Sequence, residues 1–237
     1  DPTIESVPWE LPPELKMRFD SGRAFEDEIF AKLKQALGER CIDLSDLRVK
    51  QACIDATVAA MDQGVEVILG GWLPDDTKGG RTGKPDVLLR YDALRVPASY
   101  VPGDVKQHRT TARRAKGTLR FSRVSTPGDV EGHPGYAPQT TGRLDDHLQL
   151  AHYWRMLEAC GRAPDGVDAT GFIIGTDHFA DLDPLGVVLV WLDLAAPVFQ
   201  TYSRSQGTAK RTAMERYDHE QGFRLKVAKV AASRTGS

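Results

Sequence analysis

The chain has 237 residues, of which 41% are hydrophobic and 27% are charged, the composition of a globular protein with a core of useful size. No apolar run approaches the roughly 18 residues of a membrane span, and no signal peptide is visible at the N-terminus. The three scattered cysteines exclude a disulfide framework and a C-x-x-C zinc site, and they favour a reducing, cytoplasmic location.

The net charge of −2 conceals a strong segregation of charge. Residues 107–123 carry six Lys and Arg side chains and no acid, and residues 201–237 carry eight against three acids, so the remainder sums to −13. A basic face beside an acidic site can attract a polyanion to that site. The alternative that composition leaves open is that both basic stretches are solvated surface.

Predicted elements alternate between helices and strands. The Pro-rich residues 1–19 are expected to be an extended lead-in, and a first helix is expected to begin near Asp20 or Ser21 and to end at Gly38. The other predicted elements, in chain order, are a helix at 49–63, strands at 65–69, 86–91 and 100–106, a polar insertion at 107–143, a helix at 144–159, strands at 171–175 and 187–192, and a basic, mostly helical segment at 196–237. This order predicts an α/β fold with flanking helices. The insertion is too long for a simple connection, which indicates a functional or disordered loop.

Two acids at predicted strand ends are the sharpest chemical feature. Asp86 begins one predicted strand, and Asp104 lies near the end of another. Lys106 follows Asp104 by two residues in that strand, so both side chains project from the same face. Asp is depleted in strands, and two neighbouring carboxylates repel each other unless a cation lies between them. A hard divalent cation meets that need, whereas a simple neutralising Asp–Lys pair is the plainer alternative.

A third acid and a polar pair add to this pattern. Glu26 shares a helix face with Ile29, Phe30 and Leu33, which favours a paired or metal-bound carboxylate, although an exposed early-turn acid is equally compatible with the spacing. Gln149 and Tyr153 lie four residues apart on one helix face, where they offer an amide and a phenol to a phosphate or a base. Ordinary surface polarity is the alternative for that pair.

In this order, Gly22-x-x-x-Glu26, Gly83-x-Pro85-Asp86, Asp104-x-Lys106 and Gln149-x-x-x-Tyr153 resemble the motifs of the PD-(D/E)XK nuclease superfamily, in its RecB-like branch with the Q-x-x-x-Y helix. The resemblance covers roughly residues 20–195. It implies a restriction-endonuclease-like core with a mixed central sheet flanked by helices. The insertion at 107–143 is long for the family, and the family often continues into further C-terminal segments.

The resemblance also implies roles for particular residues. Glu26, Asp86, Asp104 and the backbone carbonyl of Val105 would hold Mg²⁺ or Mn²⁺, and Lys106 would orient or activate water. Gln149 and Tyr153 would contact nucleic acid near the active site. The basic insertion adds Arg109, Arg113, Arg114 and Lys116 as candidates for binding the phosphate backbone. No iron–sulfur cluster is expected, because three scattered cysteines cannot complete a four-cysteine site.

The sequence therefore predicts a metal-dependent DNA nuclease, and the resemblance adds exonuclease or end-processing action in repair or recombination. The partner is DNA, single-stranded or duplex, with no membrane; no partner domain or helicase is assigned. One alternative is a DNA-binding module on the same fold without catalysis. Another is a coincidental motif match, which requires Glu26, Asp86 and Asp104 to lie far apart.

Overall fold

Two prolines set the start of the first helix. The computed structural model describes residues 12–92, 94–204 and 207–234. Helix α1 spans Pro13–Leu37, with Pro at the first helical position, where its missing N–H costs nothing. The predicted lead-in is therefore wrong for residues 13–19, since the Pro-Pro pair starts a helix, and its residues 1–11 lie outside the described part of the chain.

The remaining elements alternate along the chain. They are β1 (Cys41–Asp43), α2 (Lys50–Asp62), β2 (Val67–Leu69), β3 (Val87–Asp92), β4 (Ser99–Val105), β5 (Thr111–Arg123), β6 (Glu131–Pro138), α3 (Leu144–Ala159), β7 (Thr170–Ile174), β8 (Val188–Asp193), β9 (Phe199–Ser203), β10 (Gly207–Arg211) and α4 (Ala213–Arg234). The predicted helices at 49–63 and 144–159 and the strands at 86–91, 100–106, 171–175 and 187–192 are confirmed to within two residues.

Eight strands form one mixed sheet in the order β1-β2-β3-β4-β7-β8-β5-β6. Strands β3 and β4 are antiparallel, with Val87 opposite Gly103, whereas β4 and β7 are parallel, with Val105 opposite Ile174. The start of β3 and the ends of β4 and β7 therefore meet at one edge of the sheet. The α/β class with a mixed central sheet and flanking helices is confirmed.

The central strands are buried along nearly their whole length. Strands β2, β4, β7 and β8 form near-continuous buried runs, as expected of strands covered on both faces. Helix α3 packs against β4 and β7 and buries Leu150, Ala151, Trp154, Met156 and Leu157. This packing fixes α3 over the edge of the sheet where β4 ends.

The polar insertion at 107–143 is not a disordered loop but a long hairpin of β5 and β6. Only Phe121–Arg123 of β5 pairs with β8, so the first part of β5 extends beyond the sheet and pairs with β6 alone. The exposed residues of β5 are mostly Arg, Lys and Thr, so the sequence lacks the alternation of apolar and polar residues that would predict a strand. Strand β6 contains Pro134 and Pro138, which an edge strand tolerates because one side of it needs no partner.

The C-terminal segment is only partly helical. A second, two-stranded sheet of β9 and β10 precedes α4, and Phe199, Ala213, Met214 and Tyr217 join the main hydrophobic core. The prediction of a mostly helical segment at 196–237 missed this hairpin. Among the described residues, no helix combines the length and the apolar character that crossing a bilayer requires.

Candidate active site

The register of β3 and β4 brings two predicted acids together. Because Val87 lies opposite Gly103, Asp86 and Asp104 meet where β3 begins and β4 ends. The backbone N–H of Val105 donates to Asp86 Oδ2 at 2.8 Å, and Asp104 is only 1% exposed. The two carboxyl groups thus lie side by side where β3 begins and β4 ends, with Asp104 buried and Asp86 half-buried.

This carboxylate pair is electrostatically unfavourable as it stands. Burial and the neighbouring charge of Asp104 raise the pKa of Asp86 well above its usual value. The buried Asp104 Oδ2 forms an ion pair with the Lys106 ammonium, although not in hydrogen-bonding geometry. A buried carboxylate oxygen without a hydrogen bond is costly, so an additional positive charge would be stabilising here.

Lys106 is held between the pair and helix α3. Its Nζ lies 2.5 Å from Asp104 Oδ2 and donates to Gln149 Oε1 at 2.7 Å. Burial lowers the pKa of Lys106, but the charges of Asp104 and Asp86 outweigh burial and raise the pKa overall. The predicted shared face of Asp104 and Lys106 is confirmed, and the lysine carries its charge.

Gln149 and Tyr153 continue this chain of contacts along α3. Gln149 Nε2 donates to the Tyr153 hydroxyl at 3.0 Å, which in turn donates to the Lys84 carbonyl at 3.1 Å. Tyr153 is 7% exposed, and burial, with the charge of Asp104, raises its pKa, so the phenol stays protonated. Both side chains are bonded to protein groups, and their contact with nucleic acid stays a prediction.

A glycine lets Tyr153 lie directly beneath the segment that leads to Asp86. A Cβ added at Gly83 would come within 2.8 Å of the Tyr153 ring and 3.1 Å of the Met156 sulfur. At Gly22 of the first motif, by contrast, nothing lies within 4 Å. Packing therefore explains one of the two motif glycines and not the other.

Glu26 faces the carboxylate pair from α1. Burial and the charge of Asp86 raise the pKa of Glu26 to about 7. The early-turn alternative for Glu26 is wrong, because α1 begins thirteen residues earlier, at Pro13. The amide of Gln107 donates to Ser21 Oγ at 2.5 Å and so ties α1 to the chain just after β4.

Glu26 is thus electrostatically coupled to Asp86, and Asp86 to Asp104. The donors fit Mg²⁺ or Mn²⁺ in kind, because they are hard oxygen ligands whose repulsion a cation would relieve. Within residues 12–92, 94–204 and 207–234, however, no group of three His, Cys, Asp or Glu side chains is arranged to hold a metal ion.

A His–Asp contact beside the lysine was not anticipated from the sequence. His108 Nε2 lies 2.9 Å from Asp146 Oδ2, and Asp146 adds to the negative charge around Lys106. Asp146 precedes Gln149 by three residues, so both lie on the same face of α3. That spacing is the signal that could have drawn attention to it.

The predicted basic residues lie on β5 and just before it, away from the carboxylate pair. Arg113, Arg114 and Lys116 are exposed on β5, and the Arg113 guanidinium lies 5.9 Å from the centre of the Tyr136 ring. Arg109 Nε lies 3.4 Å from Asp177 Oδ1. A groove of about 620 Å³ is lined by Arg109, Thr111, Ala112, Arg113, Gln139 and Arg143. This surface is positively charged, as the sequence predicts.

No family model, curated protein or solved structure matches this chain. Inferences about function therefore depend on the geometry and chemistry of the site described above.

Proposed function

We propose that the chain is a metal-dependent deoxyribonuclease with a restriction-endonuclease-like core, which hydrolyses phosphodiester bonds. The observation that carries this proposal is the pairing of half-buried Asp86 with buried Asp104, with Lys106 against Asp104, where β3 begins and β4 ends. Burial and the charge of Asp104 make the ionised form of Asp86 costly, so the pair gives the folded chain no stability by itself. Such an arrangement is typical of a site whose ligand supplies the missing positive charge.

The acids would hold the metal ion. Asp86 and Asp104 are the proposed ligands, with the Val105 carbonyl, and Glu26 would bind directly or through water. A bound divalent cation would polarise the phosphate and lower the pKa of an attacking water. The cost of assembling the acids would be recovered when the cation binds, since their mutual repulsion then ends.

Lys106 would stabilise charge in the transition state. Its ammonium group is charged, partly buried and held by Gln149, so it needs little reorganisation to face a phosphate oxygen. Fixed charges of this kind stabilise the negative charge that develops during attack on a phosphodiester. Gln149 is therefore proposed to position the lysine.

The basic surface would bind the substrate backbone. Arg113, Arg114 and Lys116 project into solvent from β5, and Arg109 and Arg143 line the adjoining groove. Arginine and lysine side chains that contact phosphates give affinity that falls steeply with salt and does not depend on sequence.

Cleavage of labelled single-stranded and duplex oligonucleotides tests the proposal, in Mg²⁺, in Mn²⁺ and in EDTA. We expect cleavage with either cation and none in EDTA. Asp104→Asn and Lys106→Met are each expected to reduce the rate by about 10²- to 10³-fold or more. Lys50→Met, which breaks a surface ion pair with Asp75, is the control and should retain full activity. Undiminished cleavage by the Asp104 and Lys106 variants would contradict the mechanism.

A second candidate is a DNA-binding module without catalysis. Two observations favour it: the described residues contain no three-ligand metal group, and the Lys106 ammonium already contacts Asp104. This candidate predicts salt-sensitive DNA binding without cleavage in either cation. Calorimetric titration with Mn²⁺ separates the two candidates, because the nuclease requires uptake that Asp86→Asn weakens.

A further inference from the structure

A groove runs along helix α1 beside the proposed site, and it shares Glu26 and Val105 with that site. Its volume is about 560 Å³, and it is lined by Phe19, Asp20, Gly22, Arg23, Glu26, Val105 and Gln107. Phe19, Arg23 and Glu26 follow one another at helical spacing, so they form one stripe of α1. One end of this stripe is the acid that is coupled to Asp86, and the other end is an aromatic ring.

Phe19 is unusually exposed for a phenylalanine beside a groove. Its side chain is 64% exposed, whereas Ile29, Phe30 and Leu33 of the same helix are at most 3% exposed. Burial of a large apolar ring stabilises a fold, and an exposed ring does not contribute that stabilisation. A single exposed ring needs no explanation by itself, but this ring lies in the wall of the groove that also contains Glu26 and Val105.

Arg23 supplies the charge that the groove needs for an anionic ligand. It is exposed, and it forms no salt bridge with any residue in the described part of the chain. It lies one helical turn from Phe19 and one from Glu26. The rise of an α-helix places Phe19 about 10 Å from Glu26 along the axis, which leaves room for a sugar and a base.

A flat apolar ring and an exposed guanidinium match the base and the phosphate of one nucleotide, and the acids would match the next phosphate once they hold the proposed cation. The base would stack on Phe19, its phosphate would contact Arg23, and the next phosphate would reach the carboxylate pair. Paired bases in a duplex already stack on their neighbours, so only an unpaired base can offer its face to the ring. Base–aromatic stacking is tolerant of sequence because every base has such a face.

We infer that Phe19 is a stacking platform for an unpaired base next to the phosphate that is cleaved, and that the site therefore acts on single-stranded DNA. This inference rests on the proposed nuclease function and specifies its substrate. Phe19 is proposed to bind the substrate, whereas the reacting phosphate stays with the acids and Lys106.

Phe19→Ala tests this, with Phe223→Ala as a matched control, because Phe223 of α4 is also 64% exposed. We measure kcat/KM on a single-stranded oligonucleotide and on a blunt duplex of the same sequence. Phe19→Ala should reduce single-strand cleavage by about 5- to 150-fold, the range expected for one stacked base. Phe19→Trp should restore it, and Phe223→Ala should have no effect. Thermal melting checks that all variants are folded.

A second measurement replaces one base after another in the strand by an abasic residue. In the wild type, one position next to the cleaved bond should show a loss similar to that of Phe19→Ala. Phe19→Ala should be insensitive to the same replacement, because the two changes remove the same contact. Equal rates for Phe19→Ala and Phe223→Ala, or additive losses in this cycle, would overturn the inference.

The two failures can be told apart. If the wild type and Phe19→Ala cleave DNA at the same rate, only the stacking inference fails. If the wild type cleaves nothing in Mg²⁺ or Mn²⁺, the proposed function fails. Fluorescence anisotropy with the same single strand then tests stacking directly: weaker binding by Phe19→Ala than by Phe223→Ala supports it, and equal binding refutes it.

Discussion

Two acidic sites lie side by side at the ends of the parallel strands β4 and β7, and they are built in opposite ways. Asp177, three residues beyond β7, accepts hydrogen bonds from the backbone N–H and hydroxyl groups of Thr110 and Thr111, at 2.5 to 3.2 Å. Burial raises the pKa of Asp177, but these bonds outweigh burial and lower it overall. The pKa of Asp86, by contrast, is strongly raised.

The difference separates an acid that stabilises the fold from the acids of the proposed site. Asp177 fastens the start of the β5–β6 hairpin, and every bond it makes stabilises its charge. Asp86 and Asp104 have one backbone donor and one lysine between them, and they face each other. Their arrangement costs stability within the chain alone, which is expected where a ligand completes the site.

Gln149→Met probes the side of the comparison where function is expected, through the residue that holds Lys106. Lys106 loses its acceptor at 2.7 Å, so its ammonium group is no longer held toward the site. Supporting residues of this kind typically contribute about 10- to 100-fold to activity. We expect that loss in the cleavage rate, with little change in melting temperature. An unchanged rate would mean that Gln149 does not position the lysine.

Asp177→Asn should destabilise the fold by about 1–3 kcal/mol, because an amide cannot replace the charged acceptor of five bonds, four from Thr110 and Thr111 and one from Arg109. The control is Asp46→Asn, since that carboxylate is fully exposed. Urea unfolding measures both. The pKa of Asp177 is lower in the folded than in the unfolded state, so its contribution is complete above the unfolded pKa. This contribution to the free energy of unfolding should be lost as the pH falls through the folded-state pKa of Asp177, and Asp177→Asn should not show that pH dependence.

Asp86→Asn should change stability in the opposite direction. The amide oxygen can still accept from the Val105 N–H, while the repulsion between Asp86 and Asp104 disappears. We expect a gain of about 1–2 kcal/mol in the free energy of unfolding in EDTA, together with loss of cleavage. A destabilised variant would show that the pair is not strained and would remove the contrast with Asp177.

The smallest effect is expected at a hydrogen-bonded polar cluster around His152 of α3. The Thr82 carbonyl accepts from His152 Nε2 at 3.0 Å, so His152 Nδ1 accepts from the Tyr217 hydroxyl at 2.8 Å. That hydroxyl also accepts from Arg81 Nε. Tyr217→Phe should cost about 0.5–1.5 kcal/mol in stability and leave cleavage intact. Tyr202→Phe, at a 75% exposed position, should cost nothing.

Most of the central sheet and the principal acids could be predicted from the sequence. Continuous apolar runs such as 187–192 mark strands that are buried on both faces. The acids at strand ends could be placed because strand alternation sets which residues share a face, as for Asp104 and Lys106.

The rest depends on tertiary contacts that leave no local pattern. In β5 only Leu119 and Phe121 alternate clearly with exposed neighbours, because the earlier residues of the strand pair with β6 alone beyond the sheet. Strand β1 has three residues, too few for a period. The contact of His108 with Asp146 joins residues that are 38 positions apart. Whether Glu26 and the carboxylate pair hold a metal ion is likewise not encoded in spacing.

Position 83 should accept only glycine, because the Cβ of any other residue would come within 2.8 Å of the Tyr153 ring. A library of all twenty amino acids at this position should yield glycine almost alone among active clones, whereas the same library at Gly22 should be permissive. Sequences that diverge from this one could therefore change freely at Gly22, whereas Gly83 should be retained wherever Tyr153 is retained.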